Sequence, residues 1–215
     1  MAILLAQEWD IIRGKEDEYE AFVSEQFIPR TNAMGLESVG GFYVEVGFGP
    51  RIISMKSAKD PDSLFKAFFS DEFKQVVTEL SEFISNRRNR VLLSTGRVSE
   101  NGYKIQKGVW KYNQYYDKLP GKRKEYKDFI IKEYLPAMKE IDYLEVTNGW
   151  NVVFGGICNI IGELTLKSPV DVGRLLDDPV FREVTEKLRR KYVVNYQTRV
   201  LRTTERFEQP RWYRL

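Results

Sequence analysis

Two glutamines, Gln7 and Gln114, occupy matching places in two similar alternating segments. Each lies on the side that also carries a large aromatic, Trp9 in one segment and Tyr116 in the other. An amide placed among Leu5, Trp9 and Phe22 must find hydrogen-bond partners or cost stability. Either a neighbouring strand or helix group satisfies each glutamine, or a ligand does. Trp9, Phe42, Tyr112, Tyr116 and Trp150 form an aromatic set that could line a pocket for a flat apolar molecule. Aromatics at strand spacing more often build plain core. The candidate ligand-binding set is therefore Gln7, Trp9, Phe42, Tyr112, Gln114, Tyr116 and Trp150, and no catalytic residue is assigned.

The chain has no histidine. That removes Ser-His-Asp and Cys-His nucleophilic systems, HExxH zinc sites and histidine-ligated haem, leaving acid–base work to Asp, Glu, Lys or Tyr. No metal site and no cofactor are expected. Glu8 and Asp10 could be a carboxylate pair, matched by Tyr115 and Asp117, but charges at a strand end are usually solvated. Cys158 has no basic neighbour in sequence and reads as an inert buried thiol. The glycine pairs at 40–41 and 155–156 precede a strand or sit in a hairpin, so they are not phosphate loops.

The elements that must position these residues follow from periodicity. Residues 2–12 alternate as a strand, with Ile3, Leu5, Gln7 and Trp9 on one face and Leu4, Ala6, Glu8 and Asp10 on the other. Beyond Gly14, the residues Tyr19, Phe22, Val23 and Phe27 keep helical spacing, as do Tyr126, Phe129, Ile130 and Tyr134. Phe42, Val44 and Val46 line one face of a second strand, and residues 47–50 turn it into a third. Pro61 opens a helical segment that breaks at Ser70-Asp71, where an N-cap restarts it. The matching break is Asp178-Pro179. A last strand runs from Arg90 to Val98, or from Arg199 to Phe207. The basic clusters Arg87, Arg88, Arg90 and Arg189, Arg190, Lys191 are each expected to close a helix.

This order occurs twice. Glu18-Tyr19 and Phe22 recur as Glu125-Tyr126 and Phe129, and residues 27–29 recur as 134–136. After one single-residue insertion Gly41-Phe42 matches Gly149-Trp150; after another, residues 90–92 match 199–201 and Arg97 matches Arg206. The pattern predicts two βαββαβ units, residues 1–98 and 107–207, with a linker at 99–106 and a tail at 208–215. A four-stranded sheet with helices on one face leaves the other bare, and here both strand faces are apolar. The two ferredoxin-like sheets are therefore expected to pack together within one chain as an α+β barrel, the alternative being that each pairs with a sheet of a partner chain. In the second unit Lys111 replaces Leu4 and Asn113 replaces Ala6, so the copies are unequal.

The strand ending before Gly14, the helix with Glu18, Phe22 and Phe27, and the Ser70-Asp71-Glu72-Phe73 helix restart resemble the dimeric α+β barrel superfamily. That superfamily includes antibiotic-biosynthesis and haem-degrading monooxygenases, NIPSNAP-type proteins, stress-responsive barrel proteins and chlorite dismutase relatives. The resemblance spans nearly the whole chain and is one of pattern. It implies a ligand pocket, where one exists, between each sheet and its helices, with a polar amide at the strand position of Gln7 and Gln114. It departs from the haem enzymes, which use an axial histidine, and from the stress-responsive proteins, which carry one where Leu5 and Tyr112 stand here.

The remaining composition bounds the partners. Lys and Arg (34) nearly balance Asp and Glu (31) for a net charge of +3, interspersed, which argues against a nucleic-acid surface. No apolar run reaches a membrane span, the start is not a signal peptide, and one cysteine fits a reducing, cytoplasmic setting. The function expected is binding of a small apolar or aromatic molecule between sheet and helices, with cofactor-free monooxygenase or isomerase chemistry open. The alternative is a structural or interaction module, and a homodimer is allowed. Trp212, Tyr213 and Leu215 in the tail are expected to dock on the barrel or a partner.

Overall fold

In a computed structural model, the structure describes residues 3–98, 103 and 108–204. The tail, with Trp212, Tyr213 and Leu215, lies outside these residues, and of the expected linker only Tyr103 is described. The first half runs β1 (Ile3–Ile11), α1 (Glu16–Phe22), a π turn (Val23–Phe27), α2 (Ile28–Ala33), β2 (Glu37–Val46), β3 (Ile52–Ala58), α3 (Pro61–Phe68), α4 (Asp71–Leu80) and β4 (Ile84–Ser94). The second repeats the order as β5 (Trp110–Lys118), α5 (Arg123–Phe129), a π turn (Ile130–Tyr134), α6 (Leu135–Lys139), β6 (Leu144–Phe154), β7 (Ile160–Leu166), α7 (Pro169–Asp177), α8 (Pro179–Lys191) and β8 (Val193–Thr203).

All eight strands close one antiparallel barrel in the order β1-β3-β2-β8-β5-β7-β6-β4. Each half contributes four adjacent strands, and the halves meet at β2·β8 and β4·β6, with Phe42 opposite Thr203 and Ser94 opposite Trp150. Closure explains the two apolar strand faces. Leu4 and Ala6 point into the barrel with Val44, Met55 and Leu92, while Leu5 and Trp9 point outward under the helices. The helix caps fall where the sequence put them: Ser70 Oγ accepts from Phe73 N at 3.1 Å, and Asp178 from Phe181 N at 3.1 Å.

The π turns were not anticipated. Pro29 and Pro136 have no N–H, and a proline ring crowds the carbonyl four residues earlier. Widening the ladder just ahead of each proline relieves that crowding, so Ile28 N bonds Val23 O and Leu135 N bonds Ile130 O.

The last strands begin at Ile84 and Val193, earlier than Arg90 and Arg199. Only Ile84 and Val193 are buried there, and the residues that follow, up to Arg90 and Arg199, are exposed or half-buried without apolar alternation, which hid them. Asn86 and Asn195 sit there at φ 54° and 55°, a conformation asparagine tolerates at bulges. Asp10 receives Asn86 Nδ2 at 2.9 Å and Arg51 N at 2.8 Å, and Asp117 receives Asn195 Nδ2 at 2.9 Å and Asn159 N at 2.8 Å. These two aspartates are structural clamps. The cluster Arg87, Arg88 and Arg90 consequently lies in β4 and does not close a helix, whereas Arg189, Arg190 and Lys191 do occupy the last turn of α8. Val46, expected beside Phe42 and Val44, is exposed because the register slips between Val44 and Val46.

Glu8 is not solvated. It is 1% exposed inside the barrel, where Arg90 donates to it through Nη1 and Arg199 through Nη1 at 2.9 Å and Nη2 at 3.3 Å. Arg199 is also flanked by Phe48, with the guanidinium carbon 4.1 Å from the ring centre, and by Tyr115 at 5.0 Å. A second buried pair, Lys111 Nζ to Glu163 Oε1 at 3.1 Å, is joined by Thr165, Thr147 and the Tyr103 hydroxyl, which reaches Glu163 at 3.1 Å. Replacing Glu8 with Gln leaves two buried guanidiniums without their anion. It is expected to cost about 3–5 kcal/mol, read as a lower denaturant midpoint at unchanged slope.

Candidate functional site

The seven candidate residues fall in three compartments. Phe42 and Trp150 line the barrel interior, not the space under the helices, because the strand pairing sets Phe42 opposite Ile53 and Trp150 opposite Ile161, both inward. Gln7 and Trp9 lie beneath the first pair of helical layers, and Tyr112, Gln114 and Tyr116 beneath the second. The interior is nearly filled. Its void, beside Glu8, Asn113 and Trp150, is about 20 Å³, roughly enough for one water.

Beneath the helices each half has a row of short side chains across three strands. Gln7 pairs with Ser54 and Ser54 with Gly41; in the second half Gln114 pairs with Gly162 and Gly162 with Gly149. Missing side chains leave space above the row. The first-half void is about 20 Å³ and touches Trp9, Tyr19 and Gly41. The second-half cavity is about 40 Å³ and touches Gln114, Tyr116, Tyr126, Tyr134 and Asn148, with Arg97 and Val98 at its side. The segment reaching it follows β4, where Thr95 N bonds Gly149 O at 2.8 Å; Thr204 N makes the matching bond to Gly41 O at 2.9 Å.

Each amide has one partner and one atom without a partner among the described residues, Oε1 in Gln7 and Nε2 in Gln114. Gln7 Nε2 donates to Asn89 Oδ1 at 3.2 Å, whereas Gln114 Oε1 accepts from the Tyr134 hydroxyl at 2.6 Å. Phe27 stands in the first half where Tyr134 stands in the second, so Gln7 has no such hydroxyl. Gln114 is 1% exposed and its Nε2 has no partner among the described residues. Tyr116 and Tyr126 join hydroxyls at 3.0 Å, and the equivalent first-half bond is Trp9 Nε1 to Tyr19 Oη at 3.0 Å. Burial raises Tyr116, Tyr126 and Tyr134 above the ordinary tyrosine value, so they are neutral donors, not bases.

Three buried charged residues, Arg90, Arg199 and Lys56, escaped sequence reasoning. The Arg90 and Arg199 match was visible in the repeat, with each arginine two residues before an inward leucine, a charge at a core position. Lys56 gave no such signal. Its ammonium donates to Thr31 Oγ1 at 2.8 Å and Ser38 Oγ at 2.9 Å and lies 4.5 Å from the centre of the Phe27 ring. Burial lowers its pKa to about 7. Neither sheet–helix cavity is lined by Lys56. Cys158 is buried in the β6–β7 hairpin, and burial pushes its thiol up to about 11, consistent with the inert reading. Among the described residues, no group of three His, Cys, Asp or Glu is placed to hold a metal, and no helix is long and apolar enough to cross a membrane.

No family model matches the chain, and no curated protein matches it. Solved structures do. A monooxygenase candidate from Fusobacterium nucleatum superposes with a TM-score of 0.62 over 94% of this chain and 92% of its own, at 11% identity. An anthrone oxidase-like protein gives 0.60 over 95% and 92%, at 12% identity. A haem-binding protein from Thermus thermophilus gives 0.59 over 95% and 91%, at 12% identity. What these structures share with this chain is the fold, an antiparallel barrel flanked by helices. Haem, which one of these neighbours binds, does not fit the residues present here. The chain has no histidine, its cysteine lies in a hairpin with a raised pKa, and the tyrosines around the cavity are held protonated.

Two expectations follow from these contacts. Tyr134→Phe removes the donor to buried Gln114 and should cost about 1–3 kcal/mol, while Tyr134→Phe with Gln114→Leu should cost less than the single change. Equilibrium unfolding of both variants measures this. For Lys56 the folded pKa is depressed below the unfolded one, so the unfolded state binds more protons between the two. Stability should rise as pH increases from about 7 towards about 10, and Lys56→Leu should remove that slope and raise the melting temperature most below pH 7.

Proposed function

We propose that the protein binds a small, largely apolar or aromatic molecule in the sheet–helix layer of its second half, through the cavity at Gln114. The observation that carries this reading is the buried Gln114 amide, whose Nε2 has no partner among the described residues and whose residue lines a cavity over Gly162 and Gly149, the larger of the two sheet–helix voids. An unpaired buried N–H costs free energy that a ligand oxygen would recover. Tyr126 and Ile130 supply the apolar wall, and a ring-sized ligand displaces the Arg97–Val98 segment from the cavity's side. The first half, with a smaller void and Ser54 in place of Gly162, has the supporting role.

The monooxygenase and anthrone oxidase-like neighbours favour oxidation of a phenolic or quinone-like substrate in such a pocket. Its own groups offer neutral hydroxyl and amide donors that would orient a substrate carbonyl or phenol. The repeated element order also supports descent of both halves from one duplicated unit. The structural-module alternative draws on the filled barrel and the nearly filled first-half layer. Thermal-shift titration with naphthoquinones and polyhydroxylated anthracenes separates the two. Wild type should be stabilised by at least one class, and Gly162→Val, which fills the cavity, should raise the unliganded melting temperature and abolish that shift. If no compound of either class shifts the wild type, the structural reading stands.

A further inference from the structure

A larger recess lies on the other side of the same tyrosine layer, between α8 and the start of β8. Its volume is about 680 Å³, within the range of small-molecule sites. Tyr112, from β5, and Tyr196, from β8, form part of its wall, and Thr185 and Arg189 line it from α8. Thr185 is 7% exposed, and its hydroxyl has no partner among the described residues. A helical threonine ordinarily bonds the carbonyl four residues back when nothing else is offered, so the free hydroxyl is a second sign of a missing occupant.

The charge in the recess is positive and partly uncommitted. Arg190 is held by Glu186 at 2.7 Å and Arg182 lies 3.6 Å from Asp177. Arg189 has no carboxylate within ion-pair distance among the described residues; its guanidinium carbon lies 5.1 Å from the Tyr196 ring centre. Burial raises the Tyr112 and Tyr196 hydroxyls above the ordinary tyrosine value and the Arg189 charge offsets this only in part, so both are protonated. Phe181 and the exposed side chains of Leu176 and Val194 add an apolar wall. None of this is required by the fold, because the first half has Leu5, Val77 and Ser81 at the places of Tyr112, Thr185 and Arg189.

We propose that this recess binds the oxyanion, carboxylate or phosphate, of a small organic acid. Arg189 provides the charge, the hydroxyls of Tyr112 and Thr185 orient the oxygens, and Phe181 and Leu176 cover the apolar body. A guanidinium with convergent hydroxyl donors suits an oxygen anion better than a neutral group. This site is separate from the Gln114 cavity.

Isothermal titration with benzoate, phenyl phosphate and neutral benzyl alcohol tests the assignment. Wild type should bind benzoate or phenyl phosphate saturably with a dissociation constant below about 10 mM, and the better of the two identifies the oxyanion. Benzyl alcohol should bind at least about tenfold more weakly, as should the better anion to Arg189→Gln, an exposed change whose folding is checked by its melting temperature. Thr185→Val should weaken it further than any effect on stability explains. Gly162→Val, which closes the Gln114 cavity, should leave it unchanged. The proposal is overturned if neither anion saturates, if benzyl alcohol binds as well, or if Arg189→Gln binds like wild type. Loss of binding in Gly162→Val alone would instead place the anion in the Gln114 cavity and also overturn it.

Discussion

One carboxylate shared by two guanidiniums stands at the centre of this barrel. Glu8 and Arg90 come from the first half and Arg199 from the second, so the contact ties strands that are distant in sequence across the closed interior. Burying three charges carries a large desolvation cost, and their attraction offsets it only when geometry and further contacts are good. Phe48 and Tyr115 on either side of Arg199 supply such contacts. The Lys111–Glu163 pair, with Tyr103 and two threonines, repeats the solution elsewhere in the same interior. With ionic groups and large aromatics filling it, the barrel leaves little space for a ligand.

The larger open spaces consequently lie in the outer layer, between sheet and helices. There the two halves share a backbone but not a chemistry. Phe27, Ser54, Leu5 and Val77 lie in the sheet–helix layer of the first half where Tyr134, Gly162, Tyr112 and Thr185 lie in that of the second. The first half packs more completely and hides one lysine against two hydroxyls and a ring. The second is rich in hydroxyls, has a threonine hydroxyl without a partner among the described residues, and is flanked by two recesses. A repeated scaffold permits this, because the matched core positions hold the fold while unmatched ones are free to differ.

The sequence by itself determined the element order, the repeat and the need for each sheet to find a cover. Those features rest on local periodicity, caps and turns, and Leu4 and Leu5 on opposite faces of one strand already required two buried sides. It also placed Gln7 and Gln114 correctly under the helices, since a strand's alternation fixes which face a residue takes.

Only the tertiary structure decided the partners. Phe42 and Trp150 turned inward because closure of the barrel, not the strand's own pattern, defines which face is interior. Glu8 and Asp10 share a strand face, yet one is clamped in the core and the other caps a bulge, a difference set by where β4 and β8 cross β1 and β2. The starts of β4 and β8 showed no period because between Ile84 and Arg90, and between Val193 and Arg199, no side chain is fully buried. Which end of an amide is satisfied depends on the group that arrives from another element: the Tyr134 hydroxyl meets Gln114 Oε1, whereas Asn89 meets Gln7 Nε2. Alternation is a property of neighbouring residues and is written in the chain; hydrogen bonding between distant side chains is a property of the closed fold and is not.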